Sequence, residues 1–261
     1  MLTTSRDKDM VQSLSRGMQI ITAFNRGKTR MTIAEVAGIT NLPRGTARRL
    51  LLTLLDLGYV GIDGRHFYLK PKLLEIGYGY ISTLSFNDIV QKHLNLIAEN
   101  LHESASASVL IFPEIVYVAR ASTNRLMTVG LSVGSKLPAL YTSMGRAMLA
   151  QLPTEDIDKI LKNSILKPPT SKGISSTLAM RKEIDKIKKN GYSIVDQELE
   201  TGLISIGVSI GGHINDTYAA INVSVSAARW TILEVEKKIW PLLRETANNL
   251  NSELKIAWNF Q

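Results

Sequence analysis

From Pro43 onward, Ala47, Leu50, Leu51 and Leu54 recur at the i, i+3, i+4, i+7 spacing of a helix with one buried face, while Gly45, Arg48 and Arg49 fall on the opposite side. A shorter helix precedes it. Thr32 with Glu35 three residues on is capping-box spacing, in which each side chain satisfies an amide at the helix start. Between the two helices, Asn41 tolerates a left-handed turn and Pro43 suits the first position of a new helix, where no amide hydrogen is needed. Next, Tyr59–Ile62 and His66–Leu69 read as strands flanking Asp63-Gly64, a dipeptide favoured in two-residue hairpins. Two helices, a tight turn and a hairpin predict a winged helix-turn-helix.

Beyond the hairpin the pattern changes. Leu73, Leu74, Ile76, Tyr78, Tyr80, Ile81 and Leu84 leave little polar surface between Pro71 and Leu84. This stretch is predicted as a helix joining two domains and packing against its copy in a second chain, the alternative being a helix packed within its own chain. Helices are then expected at Asn87–His102, Ser143–Leu152, Thr154–Lys162, Thr177–Asn190 and Thr231–Leu254, with Gly191 as a C-cap. Strands are expected at Ala105–Phe112, Ile115–Ala121, Leu126–Val133, Tyr192–Asp196, Leu203–Ile210 and Tyr218–Ser226, the first two joined at Pro113-Glu114. Helices and strands alternate irregularly rather than as βαβ units, so the class is α+β with a mainly antiparallel sheet. The predicted division is 1–70, a DNA-binding domain; 71–87, a linker and dimerisation helix; and 88–261, a second domain.

Two strands of that domain alternate unusually. Ile204, Ile206, Val208 and Ile210 face away from Ser205, Gly207 and Ser209; Ile221, Val223 and Val225 face away from Ala220, Asn222, Ser224 and Ser226. A face washed by solvent would usually carry lysine, glutamate or threonine. Small uncharged residues leave room and hydrogen bonds for a bound polar molecule, unless helices of the same domain cover them.

Charge sharpens the division. Residues 1–80 hold 12 Lys and Arg against 6 Asp and Glu, whereas the remainder holds 19 against 17. The basic excess therefore lies on the helix-turn-helix, where phosphate neutralisation requires it. On the second helix, Arg44, Thr46, Arg48 and Arg49 are the candidates for phosphate and guanine contacts. Gly45 costs that helix roughly 1 kcal/mol relative to alanine, which is tolerable where backbone must approach a groove and otherwise reads as a neutral substitution. Arg65 and His66, at or beside the hairpin tip, are placed to reach a neighbouring phosphate or the minor groove, or are simply solvated.

With 261 residues and 44% hydrophobic content, two modest domains can each hold a core. The absence of cysteine excludes disulfides, thiolate zinc sites and cysteine nucleophiles. The polar N-terminus and the lack of any apolar run of about 18 residues point to a cytoplasmic chain without membrane contact. Asp196, Glu198 and Glu200 alternate in an acidic loop, but the histidines His66, His93, His102 and His213 show no ligand spacing. A solvated loop with capping or ion-pair roles is the better reading, and no metal or cofactor is expected. An enzyme is disfavoured because no G-x-S-x-G elbow, phosphate loop or nucleophile–base spacing occurs. A ligand-responsive regulator and a constitutive architectural DNA binder remain.

The segments SLSRGMQIITAF, VYVARAS, VGSKLPALYTSMGRAMLAQLP and GYSIVDQELETGLISIGVSI, together with the Thr32–Leu69 stretch, resemble in that order the IclR family of bacterial transcription regulators over nearly the whole chain. TARRLLLTLLDLGYV, DQELETGL and TSMGRAML look most like its regulators of aromatic-acid catabolism, of the protocatechuate and hydroxybenzoate type. The resemblance implies a winged helix-turn-helix, a linker helix that helps dimerise, and a GAF-like effector domain that binds a small organic acid, in homodimers or tetramers on double-stranded operator DNA. The DNA-binding set also takes in Thr32 and Pro43, and, aligned on those motifs, the effector contacts fall at Leu126, Val129, Ser143, Met144, Leu203, Ser205, Asn222 and Ser224. A buried carboxylate also needs a cation, for which Arg120 is the first candidate and Arg125 the second. Arg146, after TSMG, is read as a surface alternative. The family's turn glycine is Asn41 here, its helix-start serine is Pro43, and some relatives carry cysteine where Ser205 stands.

Overall fold

The computed structural model describes residues 10–24, 28–73, 75–76, 86–122, 131–214 and 217–259, and the chain divides into two units, Met1–Thr83 and Leu84–Gln261. In the first, helices α1 (Gln12–Ala23), α2 (Ile33–Thr40) and α3 (Arg44–Asp56) pack with the hairpin β1 (Val60–Asp63) and β2 (His66–Leu69) around Ile20, Met31, Val36, Leu51, Leu54, Val60 and Phe67. Thr32 and Glu35 form the reciprocal capping box. Asn41 is left-handed at φ 54° and closes α2, its amide bonding to Ala37 O. Pro43 stands one place earlier than expected. It is the extended N-cap of α3, and its carbonyl accepts the amides of Thr46 and Ala47. Leu50 is half-buried, whereas Ala47, Leu51 and Leu54 are buried.

The hairpin turn also shifts by one. Asp63 pairs with His66, so the two-residue loop is Gly64-Arg65 rather than Asp63-Gly64. Gly64 takes φ +57° and Arg65 does not have a positive φ, the arrangement of a turn with glycine at its first central position. A bridge from Met31 to Phe67 ties the entry of α2 to the hairpin. The predicted linker helix falls mostly outside the described residues.

The second unit begins with α4 (Phe86–Leu101), ended by a left-handed His102. Its six-stranded antiparallel sheet has the order β5-β4-β3-β8-β7-β6, from β3 (Ser104–Ile111), β4 (Glu114–Ala121), β5 (Lys136–Pro138), β6 (Ser193–Asp196), β7 (Leu203–Ile214) and β8 (Thr217–Ser226). Of the strand expected at Leu126–Val133, residues 126–130 lie outside the described residues, and 131–133 are not strand. Ser132 and Ser135 are cross-bonded around Gly134 at φ +88°, a turn whose Gly134 amide and Ser135 carbonyl bond to Tyr117 before the regular strand begins at Lys136.

Helices α5 (Ser143–Leu149), α6 (Thr154–Asn163) and α7 (Thr177–Asn190) pack on one sheet face. α5 ends earlier than Leu152 because Pro153 follows and turns replace the last helical bonds. On the other face, α4 and the final helix α8 (Trp240–Asn259) bury Ala105, Ala107, Ile204, Ile206, Val208, Ile221, Val223 and Val225. The helix expected from Thr231 is interrupted by a π turn at Val235–Ile239, where Trp240 N–H reaches Val235 O. Pro241 supplies the reason: it has no amide hydrogen for the regular ladder, and its ring crowds the preceding turn.

Candidate functional site

On the first unit, Arg44, Gly45, Arg48 and Arg49 project from α3 to solvent, with Thr46 half-buried beside them. None of the three arginine side chains forms an ion pair among the described residues. A Cβ on Gly45 would meet nothing within 4 Å, so packing within the chain does not require glycine there. Arg65 is exposed in the hairpin loop, and His66 is half-buried as the partner of Asp63. Arg30 went unnoticed in the sequence: it pairs with Asp63 and lies 5.5 Å from the Tyr68 ring centroid, bracing the hairpin. Thr32 is occupied structurally. Its amide and hydroxyl both donate to Glu35 Oε2 at 2.9 Å, and Lys28 Nζ donates to Oε1 at 2.8 Å. The Lys28 bond, then the Thr32 bonds, hold the Glu35 carboxyl down at about 2.

The second unit contains a cavity of about 460 Å³ over the small-residue face of the sheet. β4 contributes Tyr117 and Arg120; β7 and β8 contribute Ser205, Asn222, Ser224 and Ser226; Tyr141, Thr142 and Ser143 form one wall, and Leu199 to Leu203 another. Both expectations for this face are realised, at different ends. A Cβ on Gly207 would stand 2.8 Å from Ser143 C and 2.9 Å from Met144 N, so α5 sits directly on the sheet there. At Ser205, Asn222 and Ser224 the space stays open.

Strict alternation along β4 would put Tyr117 and Arg120 on opposite faces. A bulge prevents that. Ala107 pairs with Ala119 but Ser108 pairs with Tyr117, so Val118 is extra and the parity of the strand inverts across it. Ile115 and Tyr117 pack on the α5 side, Ala119 and Ala121 on the α4 side, and Arg120 faces the cavity. Arg120 Nη1 lies 3.4 Å from Ser106 Oγ and meets no carboxylate among the described residues. Burial pushes the Tyr117 hydroxyl up to about 12, with the Arg120 charge pulling it back, so it remains a protonated donor at neutral pH.

The polar floor is a short network. Asn222 Nδ2 donates to Ser205 Oγ at 3.0 Å and Ser224 Oγ at 3.1 Å, and Ser143 and Ser205 share a hydrogen bond. Asn222 is 3% exposed, yet its Oδ1 has no partner among the described residues. Thus Arg120, Ser143, Leu203, Ser205, Asn222 and Ser224 converge on one cavity. Met144 is not among its lining: it is fully buried, with its sulfur accepting from Ser108 Oγ at 3.2 Å. Arg125, Leu126 and Val129 lie outside the described residues. Sequence reasoning missed Tyr117, Tyr141 and Glu200; only the bulge reveals the first.

Arg146 is not a surface residue. It is fully buried, with Nη1 and Nη2 donating to Glu198 at 2.7 and 2.6 Å and Nε to Leu140 O at 2.7 Å. The loop at Asp196–Glu200 is correspondingly less solvated than expected, since Glu198 is buried; Asp196 pairs with Lys172 at 3.2 Å. No group of metal-ligating side chains occurs among the described residues.

Comparison with known families matches residues 13–64 to the IclR helix-turn-helix domain and residues 78–252 to the bacterial transcriptional regulator IclR C-terminal domain. The chain belongs to the IclR family. It is a DNA-binding transcription regulator whose reader is the helix-turn-helix. It is 39% identical over 249 residues to the Pca regulon regulatory protein of Pseudomonas putida, covering 95% of this chain and 86% of that one. It is 30% identical over 252 residues to the p-hydroxybenzoate hydroxylase transcriptional activator of Acinetobacter baylyi, covering 95% and 93%. The solved structure of a Rhodococcus sp. RHA1 transcriptional regulator superposes with a TM-score of 0.80 at 41% identity, over 95% of this chain and 99% of that one. Among the described residues no helix is long and apolar enough to cross a membrane.

Proposed function

We propose that the cavity is the effector site of this IclR-family regulator, that its ligand is a hydroxylated aromatic acid, and that it controls genes for aromatic-acid catabolism from the cytoplasm. The observation that carries this reading is the pairing of opposite needs in one cavity. Among the described residues Arg120 offers a cation without a carboxylate partner, and Asn222 Oδ1 is a buried acceptor without a donor. An acid whose carboxylate meets Arg120 and whose hydroxyl donates to Asn222 would satisfy both, and burying either group unmatched is costly. Tyr117 and Tyr141 supply flat apolar walls of the kind an aromatic ring fills. The names of the Pseudomonas putida and Acinetobacter baylyi relatives agree with this chemistry.

Arg44, Thr46, Arg48 and Arg49 would then hold phosphates and read base edges from α3, with Gly45 permitting close approach and Arg65 and His66 touching the flanking duplex. Two copies spanning two half-sites make a homodimer the minimal operator-binding unit, with a tetramer as its further assembly. The test is thermal shift and calorimetry on the full chain with 4-hydroxybenzoate, protocatechuate, benzoate and pyruvate. A pocket binder gains stability as ligand saturates it. The hydroxylated acids should raise the melting temperature more than benzoate, and pyruvate least; a larger shift with pyruvate would point to an aliphatic keto acid instead.

A further inference from the structure

Neither Arg146 nor Glu198 lines the cavity, yet the pair is tied to both of its walls. Arg146 Nε holds Leu140 O, immediately before the Tyr141–Ser143 wall. Glu198 immediately precedes Leu199, where the other wall begins. The same carboxylate accepts the amide of Ile174 at 3.1 Å, the Tyr141 hydroxyl donates to Ile174 O at 3.2 Å, and Thr170 Oγ1 donates to Gln197 O at 2.7 Å. Gln197, left-handed at φ 59°, bonds back across the loop by accepting the Gly202 amide at its side chain and donating its own to Leu203 O. The pair thus joins one cavity wall to the other directly and, through Ile174, a second time, while Gln197 and Thr170 brace the 197–203 wall itself.

Stability alone does not call for such a device. A buried ion pair is often matched or surpassed by apolar side chains of similar volume, because its attraction barely offsets the cost of taking both charges out of water. What two planar, bidentate partners supply that apolar ones do not is a fixed mutual geometry. We infer that Arg146 and Glu198 are positioning residues for the effector, clamping the 197–203 loop against the Tyr141–Ser143 wall so that the cavity is formed before the ligand arrives. This rests on the cavity being the effector site. Its consequence is that affinity depends on two residues the ligand never touches, since preorganisation removes an ordering cost otherwise charged to binding.

The experiment uses the full-length protein, calorimetry with 4-hydroxybenzoate and protocatechuate, thermal unfolding, and amide hydrogen exchange of residues 199–203 without ligand. If the unaltered protein binds neither acid, the effector reading fails before the clamp is tested. If it binds, R146M/E198M should unfold at or above the original temperature while binding about tenfold more weakly and exchanging faster at 199–203. R146K, which keeps the charge but loses the fork, should weaken binding by a similar factor. R120Q should weaken binding by roughly ten- to a hundredfold and leave exchange at 199–203 unchanged, separating contact from positioning. Unaltered affinity and exchange in R146M/E198M, or in R146K should the double variant fail to fold, would show that the pair serves packing only and overturn the clamp.

Discussion

The two units carry their chemistry in opposite ways. On the first, Arg44, Arg48 and Arg49 lie on one helix within six residues of one another, exposed and without ion pairs among the described residues. In the second, the polar groups are buried or half-buried, come from β4, β7, β8, the start of α5 and the 197–203 loop, and are in part bonded to each other. The contrast follows from what each must hold. A duplex is large, uniformly charged and supplies its own surface, so the protein needs only to present cations on a rigid scaffold. A small acid must be stripped of water, so every group that meets it has to be oriented beforehand by other residues.

The comparison is broken most severely by removing its exposed side. R44A/R48A should weaken operator binding by about a hundredfold or more, since each base or phosphate arginine contributes roughly 1–3 kcal/mol, and should flatten the salt dependence. The double variant should melt as the unaltered protein does, because both side chains are exposed. Fluorescence anisotropy at two salt concentrations checks this, with K182A as control; equal losses in both would remove α3 from the interface. R120Q comes next. It should cost about 1.5–3 kcal/mol of effector binding, the usual worth of a hydrogen bond to a charged group, while ligand-free operator affinity stays unchanged.

This contrast also explains what could be read from the amino acids alone. The capping box at Thr32–Glu35, the left-handed Asn41 and the outward arginines all depend on neighbours within four residues, where helical spacing settles direction. The small faces of β7 and β8 were equally legible because strand alternation is local. Tyr117 was not: a single inserted residue, Val118, inverts the parity of β4, and nothing in EIVYVARA marks the position of that bulge. Arg146 was misread for a related reason. A lone arginine on a short helix reads as exposed, and its partner lies fifty-two residues away in a loop whose acidic run looks solvated. The π turn before Pro241 belongs to the same class, since proline forbids a regular ladder without saying which irregular one replaces it.

Two glycines turn the comparison into smaller, paired tests. Gly207→Ala would drive a methyl into the backbone at Ser143 and Met144, so α5 must lift from the sheet; a loss of about 1–3 kcal/mol in chemical denaturation is expected, together with weaker effector binding. Gly45→Ala meets open space in a helix and should gain up to about 1 kcal/mol. Its effect on DNA is the sharper result. If the backbone of α3 approaches a groove at this point, the methyl lowers operator affinity despite the gain in stability; unchanged affinity makes Gly45 a neutral substitution.

The smallest effects lie at the two ends of the pH scale, one for each unit. Glu35, held at about 2 by Lys28 and Thr32, binds its proton less readily folded than unfolded, where it titrates near 4.5. Its contribution is therefore complete above pH 4.5 and disappears as pH falls toward 2. Tyr117, pushed up to about 12 by burial, loses its proton less readily folded than unfolded, where it titrates near 10. Its contribution is complete below pH 10 and disappears as pH rises toward 12. Melting curves of the full chain against pH should consequently show E35Q differing from the unaltered protein at neutral pH but converging with it in acid. Y117F should instead remove part of the alkaline fall while leaving the acid limb alone, because a phenylalanine in that wall has no proton to surrender. If E35Q moved the alkaline limb, or Y117F the acid one, the assignment of an exposed, partner-held charge to one unit and a desolvated neutral group to the other would be wrong.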